Sequence, residues 1–355
     1  MRVLSPLPAL LLLWVGCGPT VDECRDPGRG DPCQNLSSYG FFQGALSALQ
    51  PAAGVIPYAP NTPLFSDYAA KERFLYMPPG THAVYSDPEP LDLPVGSIAI
   101  KSFAYPFDMR TPEAGRRIVE TRLLIHKPDG WAAFPYVWND SQTEATVASV
   151  GATVDVSWIH TDGTMRSDAY VVPNINMCAD CHKSDEATMK LIGIKARQLN
   201  GNYAYAGGTE NQLSYWVRSG LLTGAPLAAA APRFPVWNDP ASGTVEQRAR
   251  VWLDVNCAHC HNGTGMASNT GLDLRYEQTE PGKIGMCRSP VAAGRGTGGR
   301  EYDIVPGQPD ASVLLFRIES TTPKIMMPEQ GRKLAFAEGI ALIREWIKGM
   351  AGTCQ

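Results

Sequence analysis

Residues 116–138, RRIVETRLLIHKPDGWAAFPYVW, set two runs of β-branched and aromatic residues on either side of Pro128-Asp129-Gly130. Such side chains suit the pleated, half-buried surface of a strand. Asp-Gly between two such runs marks a tight turn, because glycine accepts the positive φ that a hairpin demands. Residues 154–172, VDVSWIHTDGTMRSDAYVV, repeat the design around Asp162-Gly163. Successive hairpins predict an antiparallel sheet or sandwich over residues 36–172.

Pro173-Asn174 closes that region, and the pattern changes at once. MCADCHKS stands at 177–184, and NCAHCHNG follows at 256–263. Short helices are expected near residues 39–49, in MKLIGIKARQLN and in ENQLSYWVRSGLL. An Ala/Pro-rich stretch separates the two motifs. Thr244 then opens a helix with a Thr-x-x-Gln capping box completed by Gln247, and that helix runs straight into Cys257. AFAEGIALIREWIKGM closes the chain with Ile340, Ile343 and Ile347 at helical spacing. The expected fold is α+β and multidomain. A β-rich domain (36–172) is followed by two mainly helical modules, at 173–230 and 244–355, joined by a linker at 231–243.

Cys178-x-x-Cys181-His182 and Cys257-x-x-Cys260-His261 have one spacing. Two cysteines three apart aim their sulfurs at the two vinyl positions along one porphyrin edge, and the following histidine swings beneath the ring to bind iron. Two covalent c-type haems are therefore the expected cofactors. Zinc is the competing chemistry. Zinc ribbons separate their Cys pairs by roughly 15–20 residues, whereas about 75 intervene here, and zinc gives no reason for a histidine after each pair.

Each iron needs a further axial ligand or is left open. Met327, just before Pro328, is the expected ligand of the second haem, with Met326 as runner-up. A thioether ligand raises the reduction potential. For the first haem Met189, Met165, His160, Lys195, His126, His82 and water all stand open, and an open iron would favour a catalyst over a carrier.

The N-terminus reads as an export leader over residues 1–16. Arg2 precedes a short apolar run, Leu10–Val15, which is far below the roughly 20 residues needed to span a bilayer. Gly16-Cys17 resembles a lipobox, although Trp14 stands where leucine is usual. Lipidated Cys17 would hold the chain at a membrane surface. Gly18 in place of aspartate favours the outer membrane, so a periplasmic lipoprotein is expected. Residues 17–35 form a polar tether. Of nine cysteines, Cys24, Cys33, Cys287 and Cys354 remain after the lipid and the motifs. In an oxidising compartment an even remainder suggests two disulfides. Cys24–Cys33 with Cys287–Cys354 is one of three pairings. With 31 basic and 35 acidic side chains the net charge is −4, which excludes a general nucleic-acid binder.

VVPNINMCADCH (171–182), ARVWLDVNCAHCHN (249–262), VPGQPDASVLLFRIES (305–320) and MMPEQGR (326–332) together resemble a bacterial family of exported dihaem c-type cytochromes. Residues 105–145 are similar to the β-rich region that precedes the haem motifs in that family. The resemblance implies haem binding and electron transfer, with Cys178, Cys181, His182, Cys257, Cys260 and His261 at the motif positions. It identifies no substrate or redox partner. A peroxidase-like dihaem enzyme and a ligand-binding β domain using Trp131, Trp138 and Trp158 are the alternatives.

Overall fold

The computed structural model describes residues 32–182 and 189–355. The leader, Cys17 and Cys24 lie outside the described residues. Phe42–Gln43 (β1) and Gln50–Pro51 (β2) form a small ladder ahead of Val55–Tyr58 (β3), Ala70–Tyr76 (β4) and Ala83–Val84 (β5). Ile98–Pro106 (β6), Arg116–Lys127 (β7), Gly130–Trp138 (β8) and Ala145–Val147 (β9) follow, then Ala152–Ile159 (β10) and Met165–Val172 (β11). The main sheet has six antiparallel strands in the order β3-β4-β6-β7-β8-β9. Lys127 pairs with Gly130 across the predicted turn, and Gly130 has φ +119°. The β10–β11 hairpin is a separate two-stranded unit.

The two faces of the sheet bury different partners. Phe74, Ile98, Ile100, Leu123 and Ile125 pack on the N-terminal residues Leu36, Phe41 and Leu49. Towards one end of the opposite face, Phe103, Tyr105 and Val119 receive Val156, Trp158, Tyr170 and Val172 of the hairpin. Trp138 and Trp158 are core residues and Trp131 is partly buried, so the tryptophans offer the β domain no exposed aromatic platform.

Residues 173–230 do not make a helical module. Helix α1 (Ile175–His182) is followed by the four-residue α2 (Ala196–Leu199), the hairpin Asn202–Tyr205 (β12) and Gly208–Asn211 (β13), helix α3 (Gln212–Arg218), and Leu222–Thr223 (β14), which pairs in parallel with β5. Ile194, Leu199, Leu213 and Trp216 share one core with Ile56, Tyr58 and Leu75 of the sheet. Helices this short bury too little surface to stand alone, so the segment takes its core from the β domain. The helix expected near 39–49 is two 3-10 turns, Leu36–Tyr39 and Leu46–Ala48.

The C-terminal part has its own core. Val245–Cys257 (α4), Pro281–Ile284 (α5), Val313–Glu319 (α6) and Ala337–Lys348 (α7) enclose Leu253, Ile284, Leu315, Ile343 and Ile347. The capping box is present: Gln247 N donates to Thr244 Oγ1 at 3.2 Å, and Thr244 N donates to Gln247 Oε1 at 2.9 Å. At Gly339, α7 presses on α4, where an added Cβ would meet Trp252 Nε1 at 2.6 Å. Cys287 and Cys354 form the expected disulfide, with Cα atoms 5.1 Å apart, within ordinary disulfide geometry. The other pairing involves Cys24 and is not described. Among the described residues, no helix is long and apolar enough to cross a membrane.

Candidate functional site

Helix α1 begins as the chain leaves β11, and Asn174 Oδ1 accepts from Met177 N at 2.9 Å. The helix lies on β8 and β7, so Cys178 is buried against Leu124 and Ala133. One turn further, Cys181 and His182 face a cavity of about 860 Å³, which Met326 and Met327 also line. That size falls within the usual range of cofactor sites. From the second motif the cavity takes Ala258, His259 and Asn262. Cys257 and His261 are buried but, like Cys260, do not line it.

Both motif histidines are oriented by their Nδ1 atoms. His182 Nδ1 lies 2.8 Å from the Lys190 carbonyl, to which it must donate. His261 Nδ1 lies 3.2 Å from Thr270 Oγ1. The Thr270 hydroxyl hydrogen already goes to the Ala267 carbonyl at 2.7 Å, so His261 Nδ1 is the donor. In both rings the lone pair then resides on Nε2. A ligating histidine is typically held this way. Desolvation pushes His182 down to about 4, the Lys190 bond opposing, and burial pushes His261 down to about 4. Both imidazoles are neutral near pH 7, the form that binds metal.

None of the four motif cysteines is in a disulfide. Burial pushes Cys257 up to about 12 and raises Cys178. The two motifs meet at their second cysteines. One ligand atom each from Cys181, His259 and Cys260 lies within 4.8 Å of the others. The Cys260 thiol bonding to Cys181 holds Cys181 below the ordinary thiol range, with His259 adding to the effect, and raises Cys260.

The methionine loop is anchored from two directions. Buried Arg332 donates to the carbonyls of Met327 at 2.6 Å, Ser320 at 3.0 Å and Ile318 at 3.1 Å, fastening the loop to the end of α6. Asp67, just ahead of β4, accepts from Lys333 N at 2.8 Å and Leu334 N at 2.7 Å. Gln330 Nε2 donates to Asp180 Oδ2 of α1 at 2.6 Å. The loop therefore touches the first motif's helix as well as its own.

Among the candidates for the first iron, Met165 is 69% exposed and His82 is also exposed. His126 is stacked on Trp131, with Nδ1 bonded to the Leu93 carbonyl. His160 is buried beside Trp158 and Tyr68. Lys195 lines the cavity but pairs with Asp254 at 3.6 Å. Met189 borders the apolar patch around Cys178. Sequence reasoning passed over His259, which stands inside a motif and shows no signal of its own. It also passed over Arg73, Lys101 and Arg122, which line the cavity. Lys101 is a lone cation in an apolar strand run, whereas Arg73 and Arg122 stand among other charged residues and carry no such signal.

Comparison of the chain with models of protein families, with characterised proteins and with solved structures returns no match.

Proposed function

We propose that the chain is an exported dihaem c-type cytochrome that carries electrons. The observation that supports it most is the pair of neutral histidines, each following a Cys-x-x-Cys thiol pair and each left with a free Nε2 by its Nδ1 bond. Bound haem would supply a one-electron iron couple. Cys178 and Cys181 would attach one group and Cys257 and Cys260 the other, with His182 and His261 as axial ligands. Met327, whose carbonyl Arg332 holds, is assigned to the second haem. Helices α4, α6 and α7 around Cys257 suit a cytochrome c-like module there, while the first group would rest on the β-sheet. The apolar wall at Leu124 and Ala133 keeps water from that side.

In this reading Cys17 carries lipid and holds the protein at the outer membrane facing the periplasm, where a redox protein partner would dock. Expression with cytochrome c maturation machinery, followed by pyridine haemochrome analysis and intact mass, is expected to give two haems per chain. None or one would overturn the assignment. A reduced sample whose spectrum responds to carbon monoxide would instead favour a catalyst with an open iron.

A second reading has its own observation. Cys181, His259 and Cys260 supply two sulfurs and a nitrogen close enough for one soft ion. Cobalt(II) added to chain made without haem would then give thiolate charge-transfer bands, lost in His259→Ala. Two haems on the natural product would exclude this reading, because they consume both thiols.

A further inference from the structure

The cavity side of the sheet is ordered in rows. Leu75, Ala99, Leu124 and Ala133 pair directly across β4, β6, β7 and β8, and Cys178 packs against this apolar row. Two residues along each strand, about 7 Å away by the rise of a strand, the next row is Arg73, Lys101 and Arg122, ending at Pro135. All three cations line the cavity that Cys181 and His182 also line.

Like charges directly opposite one another across strands destabilise a sheet, and desolvation adds to the cost. Arg122 is compensated: it binds Glu120 in two places, at 2.7 and 2.9 Å. Tyr170 occupies the same carboxylate at 2.7 Å. Among the described residues no ion pair joins Arg73 or Lys101 to a carboxylate, and the same holds for neighbouring Lys71, whose ammonium bonds the Ala69 carbonyl. Lys101 instead stands 4.9 Å from the centre of the Phe103 ring, a contact that holds a cation without neutralising it. Burial, with the adjacent Arg73, lowers Lys101 and takes Lys71 down to about 7. An apposed anion would reverse both effects.

We propose that Arg73 and Lys101 form a carboxylate-binding row for the porphyrin attached at Cys178 and Cys181. This rests on the haem reading above. The row gives the first haem an electrostatic setting of its own, because a fixed cation beside the ring favours the reduced iron.

The test is a spectroelectrochemical titration of the full haem-loaded chain carrying Lys101→Met, Arg73→Gln or the charge-preserving Lys101→Arg. The first two substitutions relieve repulsion, so the fold is not put at risk. Lys101→Met and Arg73→Gln are each expected to lower the potential of one haem. The drop should be at least tenfold in its reduction equilibrium constant, about 59 mV for one electron. The other haem should stay put, and Lys101→Arg should match the parent. Unchanged potentials in both charge-removing variants overturn the row's role. A parent potential that moves with added acetate, where Lys101→Met does not respond, assigns the row to a free anion and overturns the porphyrin as its source. A parent chain without haem overturns the underlying reading as well.

Discussion

The two Cys-x-x-Cys-His segments share a pattern and an Nδ1-held histidine, but they rest on unlike supports. The first rides on the eight-residue α1, laid against a sheet, and its followers α2 and α3 borrow the core of β3 and β4. The second ends the thirteen-residue α4, which packs with α6 and α7 in a separate core. It is further secured by a capping box and a disulfide. The pattern specifies chemistry at five residues, and the surroundings that tune it come from two unlike scaffolds. Equal motifs need not give equal sites.

The sharpest way to break this contrast is to cut the chain. Residues 244–355 expressed alone with maturation machinery are expected to fold and carry one haem, and residues 173–230 alone to carry none, read by haemochrome absorbance and circular dichroism. Uptake by the shorter piece would show that the first motif needs no sheet.

Next in size is the disulfide. Its ends are 67 residues apart, so replacing Cys287 and Cys354 by serine should cost about 4 kcal/mol by loop entropy. Calorimetry should show the loss in the second region while the sheet's transition stays in place.

Asp303, 8% exposed within the second region, is expected to contribute in the opposite direction. Burial raises its carboxyl from 3.8 to about 6, with Arg288 and Arg317 opposing. The folded chain then holds this proton more tightly than the unfolded one, so stability is fully present at low pH and falls as pH rises from about 4 through about 6. Asp303→Asn should remove that dependence and raise stability at pH 7 by on the order of 2 kcal/mol, measured by urea unfolding at pH 4 and 7. The smallest effect is expected from Thr244→Ala, which removes the cap of α4 and should cost about 1 kcal/mol without altering the first motif's region.

The sequence announces these regions unevenly. The Asp-Gly turns, the capping box and the 3.6-residue spacing of Ile340, Ile343 and Ile347 are local signals, and each matches an element in the structure. What the sequence does not reveal is long-range. Nothing in MKLIGIKARQLN tells that Ile194 and Leu199 pack with Ile56 and Leu75, so the pattern reads as a helical module where the sheet extends its core instead. The meeting of Cys181 with Cys260 and the alignment of Arg73, Lys101 and Arg122 depend on strand order and register, which no short window of residues carries. The Met326-Met327 loop was recognisable from its proline, but its attachment to Asp67 was not.

That attachment spans 266 positions of chain. Asp67 itself sits at φ +47°, and its own carbonyl is gripped by the Tyr105 hydroxyl at 2.9 Å. The sheet thus acts as a datum for the height of the methionine loop. A shift ahead of β4 would be transmitted to the methionine loop and, through Phe65 on Asn256 and Tyr68 on Glu338, to α4 and α7 as well. The loop's position is therefore set partly from the first domain, and a survey of variants confined to the helices around Cys257 would miss that contribution.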